Sequence, residues 1–558
     1  MMKLLIPTAL ALILVPLLPA AAAAQATTAP VVQAEAGPPR GRGSYQDLLK
    51  LWGEFLAWRD TAPADGVGDW SAATIAAQRQ AMGDYLRRIE DVNVAAMPRA
   101  ERVDWLAARS KMLQHQFLLD VAKPWERDPG FYVDQMLDVS FAELPASGDK
   151  LEKLRKELRA IAPLAAAARR NLRDVPGDFA DLALHNLNTA DGVGHGHPYR
   201  TVPPAGVIGW FDDLAARART AQPVLLPDIA AARTAAVEFQ AWLKAGRSKM
   251  TASAGVGEAR FDWYLKNVKL LPYTARQLEV LGARETQRLW AAHALEEHRN
   301  RKLPRLELPS TEAEYGRRKT DSLQRIRAWI AAEEIITVPE DIGDLYINVP
   351  WIVRPGGPNF WEEIQYRDPS PDLLHATLPG HAFDGRMAKR DKRPIRGRID
   401  DGVRAEGWGV YLEDAALRLG FLEDRPRVRE LIDIFGIFRA VRIAGDIDLQ
   451  LNRKSVPQVV ADWRKQTPWL DANVARVDAE IYLRRPPGYG LGYTVGMIEM
   501  QKLVSDRRQQ LGDKFVLRQF HDELMATGRV PMSLVRYDMT GFDDEVRTFW
   551  TRDPLPPR

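Results

Sequence analysis

The sequence predicts a mainly α-helical protein carrying one small inserted sheet, and three observations predict it. Apolar residues recur at three- and four-residue spacing over most of the chain, beginning with Leu48, Leu51, Trp52, Phe55 and Leu56. Helix-start signals precede such runs, the first being Ser44 with Asp47 three residues on. The pattern then changes near Asp344, where residues 345–353 and 360–366 are β-rich and bracketed by glycine and proline. With 558 residues, 46% apolar and 27% charged, the chain has ample material for a core. At about 150 residues per domain it accommodates two or three domains.

The opening residues carry one charge, Lys3, before an apolar stretch that ends in the small-residue triplet Ala24-Gln25-Ala26. That layout predicts a secretory signal peptide over residues 1–26. Pro7, Pro16 and Pro19 argue against the alternative, an uncleaved membrane anchor. No stable membrane span is expected after cleavage, so the expected location is periplasmic or secreted. The absence of cysteine predicts that the protein is not a lipoprotein. Residues 27–43 are rich in proline, glycine and alanine and read as a disordered leader. An N-terminal helical domain is expected over 44–245, with long helices near 149–170, 204–221 and 227–244. The remainder, 246–558, forms a second domain, helical over 274–334 and again after the helix start at Pro369-Ser370-Pro371-Asp372.

Composition narrows the chemistry. A net charge of +3 lacks the basic excess of a general nucleic-acid binder, so no nucleic-acid partner is expected. Zero cysteine excludes disulfides, iron–sulfur clusters, thiolate zinc sites and a cysteine nucleophile. Nucleotide-binding and serine-hydrolase fingerprints are absent. A metal site must therefore be built from Asp, Glu and nine His.

The segment His375-Ala-Thr-Leu-Pro-Gly-His381, followed by Glu406-Gly-Trp-Gly-Val-Tyr-Leu-Glu413, supplies two His and a distant Glu, the donor set of an open zinc site. Residues six apart on a straight helix diverge by roughly 120°. His375 and His381 therefore converge only if Pro379-Gly380 breaks the helix. Spacing alone leaves two readings, a metal pair or two structural histidines flanking a helix end.

These residues resemble the domain-of-unknown-function 885 family, mostly exported bacterial proteins considered zincin-like metallopeptidases. The pattern H-x-x-x-P-G-H over residues 375–381 and Glu406-Gly407-Trp408 with Tyr411 match its paired signatures. Segments 255–274 and 490–531, including Gly490-Leu491-Gly492-Tyr493, follow in the family's order. The resemblance implies a multi-helical, gluzincin-type metallopeptidase architecture and one Zn2+ per chain. It implies His375, His381 and Glu406 as ligands and Tyr493 as the phenol facing an oxyanion. Glu413, seven residues after Glu406 and on the same helical face, becomes a carboxylate that holds a ligating His from behind, or else a core-edge acid. Residues 345–353 take the place of a substrate-binding edge strand. The implied partner is a peptide or an amino-acid-derived small substrate.

The sequence departs from the family where the first His is followed by Ala376 instead of Glu, so the usual general base is absent. Asp372 and Asp384 are candidate replacements. Two functions follow: an impaired zinc peptidase or amide hydrolase, and an inactive relative that binds peptide-like ligands. A basic run between the motifs, with Arg396 and Arg398 at its centre, reads as a cationic rim for a substrate carboxylate or as a solvated loop. His195 and His197 sit in a glycine-rich loop, His293 and His298 read as surface residues, and His521 as a structural hydrogen-bonding residue.

Overall fold

The structure, a computed structural model, describes residues 37–60, 68–189, 200, 202–345, 349–354 and 356–557. The predicted signal peptide and the loop carrying His195 and His197 lie outside the described residues. Ser44 and Asp47 form a reciprocal capping box at the start of helix Tyr45–Arg59, whose Leu48, Leu51, Trp52 and Phe55 are buried. The end of the expected disordered leader is in fact held down: the amides of Arg42 and Gly43 donate to the Asp91 carbonyl at 2.7 and 2.8 Å.

Helices Asp149–Asn171, Gly206–Ala221 and Leu226–Gly246 occupy the three long stretches expected in the N-terminal half. The first presents Leu154, Leu158, Ile161, Leu164, Ala165 and Ala168 to the core, an uninterrupted apolar stripe. In the C-terminal half two helix pairs make the most extensive packing. Ala275–Asn300 lies along Pro426–Gln450, and Gly402–Arg418 along Gly492–Leu511. One buried apolar cluster runs from Leu48 to Trp550, so residues on either side of 245 share a core. Polar links cross the same line. The Trp52 indole donates to the Pro394 carbonyl at 3.1 Å, and Arg109 donates to the Trp550 carbonyl at 3.1 Å.

Among the described residues the predicted small sheet is not formed. Among the described residues the only β-pairings are isolated bridges, Gly43 with Val92 and Pro176 with Ala252. Residues 349–353 are irregular, and Phe360–Arg367 is a helix. The cause is local: the Asn359 side chain accepts from the Glu362 amide and the Glu362 carboxylate accepts from the Asn359 amide, a capping box that outweighs the aromatic content of the segment. Among the described residues no helix is long and apolar enough to cross a membrane.

Candidate metal centre

Five helices build the site. His375 stands near the end of Ser370–Ala376, and His381 opens His381–Arg390. Glu406 and Glu413 lie on Gly402–Arg418, Arg439 on Pro426–Gln450, and Tyr493 at the start of Gly492–Leu511. Between the first two helices the chain turns through residues 377–380, and this break lets two histidines six apart converge. Trp408, fully buried, fixes the turn by donating its indole N–H to the Pro379 carbonyl at 2.8 Å.

One donor atom from each of His375, His381 and Glu406 lies within 4.8 Å of the others. Glu406 Oε2 is 3.4 Å from His375 Nε2 and 3.2 Å from His381 Nε2. The two imidazoles meet edge to face, centroids 4.6 Å apart. A tetrahedral zinc bound at about 2.0–2.1 Å holds neighbouring donors about 3.3 Å apart, which the two nitrogen–oxygen separations match. Burial alone would raise the Glu406 pKa, but the two imidazoles hold it well below the usual carboxylate range. Glu406 is therefore an ionised donor across the working pH range.

Behind the histidine, Glu413 Oε1 sits 2.9 Å from His375 Nδ1, which leaves Nε2 for the donor cluster. The other oxygen of Glu413 accepts from Arg439 Nη1 at 2.5 Å. Burial and Arg439 both push the His375 pKa down, while Glu406 and Glu413 raise it by more. Close packing reinforces the placement: a Cβ on Gly409 would lie 2.5 Å from His375 Nδ1, so a glycine is required there. Nearby, the Gly402–Arg418 and Gly492–Leu511 helices cross backbone to backbone, a Cβ on Gly407 meeting the Gly496 carbonyl carbon at 2.4 Å.

Tyr493 is brought to the same region. Its phenol faces the Glu406 charge and the Arg442 guanidinium, which lies 4.8 Å from the ring centroid. Burial raises its pKa well above the usual value, and Glu406 adds to the rise, so the hydroxyl stays protonated and able to donate.

Of the two candidate bases, Asp384 is engaged by Arg404 and Arg529, each at 3.3 Å. Asp372 lies one turn before Ala376 on the same helix face and has no hydrogen bond or ion pair among the described residues. Burial raises its pKa against the pull of His375 and Arg439.

The expectation for Arg396 is corrected. Its guanidinium is buried in ion pairs with Asp104 at 2.7 Å and Asp538 at 2.5 Å and donates to the Ala100 carbonyl at 3.0 Å. It joins the two halves of the chain and is not free to meet a ligand. Arg398 is exposed. His293 is also corrected: it is 2% exposed, packed against Trp290 and Trp469. His521 is buried, its Nε2 accepting from the Tyr411 hydroxyl at 2.9 Å and its Nδ1–H donating to the Ile335 carbonyl at 2.6 Å.

Sequence reasoning missed Arg439 and Arg442. The available signal was two arginines inside the apolar run Ile434-Phe-Gly-Ile-Phe-Arg-Ala-Val-Arg-Ile443, where buried guanidinium groups demand partners. Arg442 finds Asp478 at 2.5 Å.

No curated protein matches the sequence. Two solved structures share the fold. One, described as a "putative lipoprotein of unknown function" from Shewanella oneidensis, has a TM-score of 0.67 at 16% identity, covering 88% of this chain and 97% of its own. The other, a "putative lipoprotein" from Colwellia psychrerythraea, has a TM-score of 0.64 at 16% identity, covering 89% and 98%. The expectation that the protein is not a lipoprotein runs against these two descriptions and is withdrawn. It rested on the missing cysteine alone, an argument about one attachment chemistry and not about the class of proteins that carry this fold. Segment 255–274, counted in the sequence resemblance, falls outside the family match. Residues 372–539, the stretch holding the donor cluster, Glu413, Arg439 and Tyr493, match the family described as bacterial protein of unknown function (DUF885).

Proposed function

We propose that the protein is a metal-dependent hydrolase of peptide bonds or amino-acid amides, with His375, His381 and Glu406 holding zinc. The observation that carries this reading is the convergence of three donor atoms within 4.8 Å of one another, with Glu406 Oε2 at 3.4 and 3.2 Å from the two histidine nitrogens. Zinc in such a site supplies Lewis-acid polarisation of the scissile carbonyl and activation of water. The remaining roles belong to this chain. Glu413 and Arg439 both lie against His375 Nδ1, at 2.9 and 3.3 Å, and with their mutual ion pair they hold the ring in place. Tyr493 offers a neutral hydroxyl to a developing oxyanion. Asp372, one turn below Ala376 on the same face, takes the water proton in place of the missing Glu.

A second reading, an inactive relative that binds peptide-like ligands, is favoured by Ala376 alone. A methyl group cannot move a proton, and removal of a general base costs on the order of 10²–10⁴ in rate. Metal content of the purified protein beside a His375→Ala, His381→Ala double variant tests the site: about one zinc per chain, lost in the variant, is expected. Metal-dependent hydrolysis by the native protein, abolished in Asp372→Asn, supports the first reading. An inert native protein that gains activity on Ala376→Glu supports the second.

A further inference from the structure

Beside the donor cluster lies a cleft of about 390 Å³, lined by His381 and Glu406 and also by Lys111, Lys269, Arg529, Asp400 and Asp401. Its volume is that of a small-ligand pocket. The cations are not equivalent. Arg529 is already engaged by Asp384 at 3.3 Å and Asp400 at 3.1 Å. Lys111 donates only to the Asp400 carbonyl, at 3.3 Å. Lys269 has no hydrogen bond or ion pair among the described residues.

The charges of Asp401 and Asp446 both act on Lys269, and Asp446 Oδ1 has no hydrogen-bond partner among the described residues, while the other contacts of these acids are to backbone amides. Asp401 caps its helix by accepting from the Arg404 amide at 2.9 Å, and Asp446 accepts from the amides of Gly490 at 2.7 Å and Leu491 at 3.3 Å. Burial still draws the Lys269 pKa below the usual lysine value. The backbone that presents this lysine is unusual as well. Lys269 ends a π-helical turn, Leu265–Lys269, and is followed by Leu270 at φ 51°, a left-handed conformation disfavoured for a branched side chain. A half-buried lysine on the cleft wall, presented by a left-handed turn and making no hydrogen bond or ion pair among the described residues, is available to an anion that enters the cleft.

We propose that Lys269, seconded by Lys111, is the subsite for a free carboxylate on the ligand, so that the site takes short peptides or N-acyl amino acids by their C-terminal end. The inference rests on the hydrolase reading for its choice of a peptide-like ligand, and it moves the carboxylate-binding role from Arg396, which is buried in ion pairs, to the cleft wall. A peptide's one invariant carboxylate is its C-terminus, and His381 and Glu406 line the same cleft as Lys269. A charge-assisted contact replaces a neutral one when the acid binds and is lost when the carboxylate is amidated.

The test is calorimetric titration of N-acetyl-Ala-Ala and of its C-terminal amide into the full chain, in zinc-free and zinc-loaded forms. The native protein is expected to prefer the acid by about tenfold or more. Lys269→Met is expected to abolish that preference while amide affinity stays within about twofold, which also reports an intact fold; Lys269→Arg is expected to retain it. Equal affinities for acid and amide in the native protein, no acid binding up to about 10 mM, or a preference that survives Lys269→Met would overturn the inference. The metal reading fails separately. A protein that takes no zinc yet prefers the acid through Lys269 keeps this subsite, and a zinc protein indifferent to the carboxylate loses it.

Discussion

The two sides of helix Gly402–Arg418 each receive a buried histidine and treat it in opposite ways. On one side Glu406 and Glu413 surround His375 with two carboxylates, and the imidazole's pKa is raised. On the other, Trp408 and Tyr411 close over His521, with ring centroids at 5.2 and 5.6 Å, and its pKa is pushed down to about 4. Burial lowers both, and the difference comes from the charges that accompany it. His375 meets ionised oxygens, whereas His521 meets a phenol and a backbone carbonyl, which hold a neutral ring in one tautomer. Burial of a histidine is therefore not a sign of function. The carboxylates that come with it are what distinguish His375 from His521.

The sharpest way to break this contrast is Gly409→Ala. The added methyl would sit against His375 Nδ1 and drive the ring from Glu413 and Glu406. Zinc affinity, measured by chelator competition, should fall by more than about 100-fold, with about 1–3 kcal/mol lost from overpacking. Native zinc affinity in this variant would remove His375 from the donor set. Glu413→Gln attacks the same side more gently, and a 10–100-fold weaker zinc affinity is expected because the carboxylate that orients His375 is lost. An unchanged affinity would reduce Glu413 to a partner of Arg439.

The opposite side answers to pH. His521 has a folded pKa of about 4 against 6.5 unfolded, so the unfolded chain takes up the proton first. Stability is full above pH 6.5 and falls as the pH drops toward 4, by up to about 3 kcal/mol from this residue. His115, drawn down to about 4 by burial, adds to the same slope. Urea midpoints between pH 7 and 4 should thus decline, and the share belonging to His521 should vanish in His521→Gln. A slope identical in that variant would mean the imidazole is not held neutral. Smallest of all, Tyr411→Phe should lose about 1 kcal/mol with the metal content untouched, since only the hydrogen bond to His521 goes.

Local signals in the sequence were faithful where the physics is local. Ser44 and Asp47 start a helix, Pro379-Gly380 break one, and the seven-residue step from Glu406 to Glu413 puts both carboxylates on one side. The sheet failed because the β-rich content of residues 360–366 was weighed without the Asn359–Glu362 capping box beside it. Arg396 failed for a different reason. Which guanidinium in a basic run becomes buried depends on Asp104, 292 residues away, and no spacing rule reaches that far. Arg439 and Lys269 reach the site from separate helices, and only the packed fold brings them beside His375 and His381.

The crossing at Gly407 and Gly496 has a consequence for how this fold diverges. With the two backbones in contact, no side chain mediates the offset between Glu406 and Tyr493, so substitutions elsewhere along either helix cannot slide one past the other. The spacing between an acid and a phenol is thereby set by backbone contact and insulated from changes of side-chain size in the surrounding core. For redesign this marks a fixed pivot: the walls of the cleft are open to alteration, while this pair of glycines should be inherited unchanged.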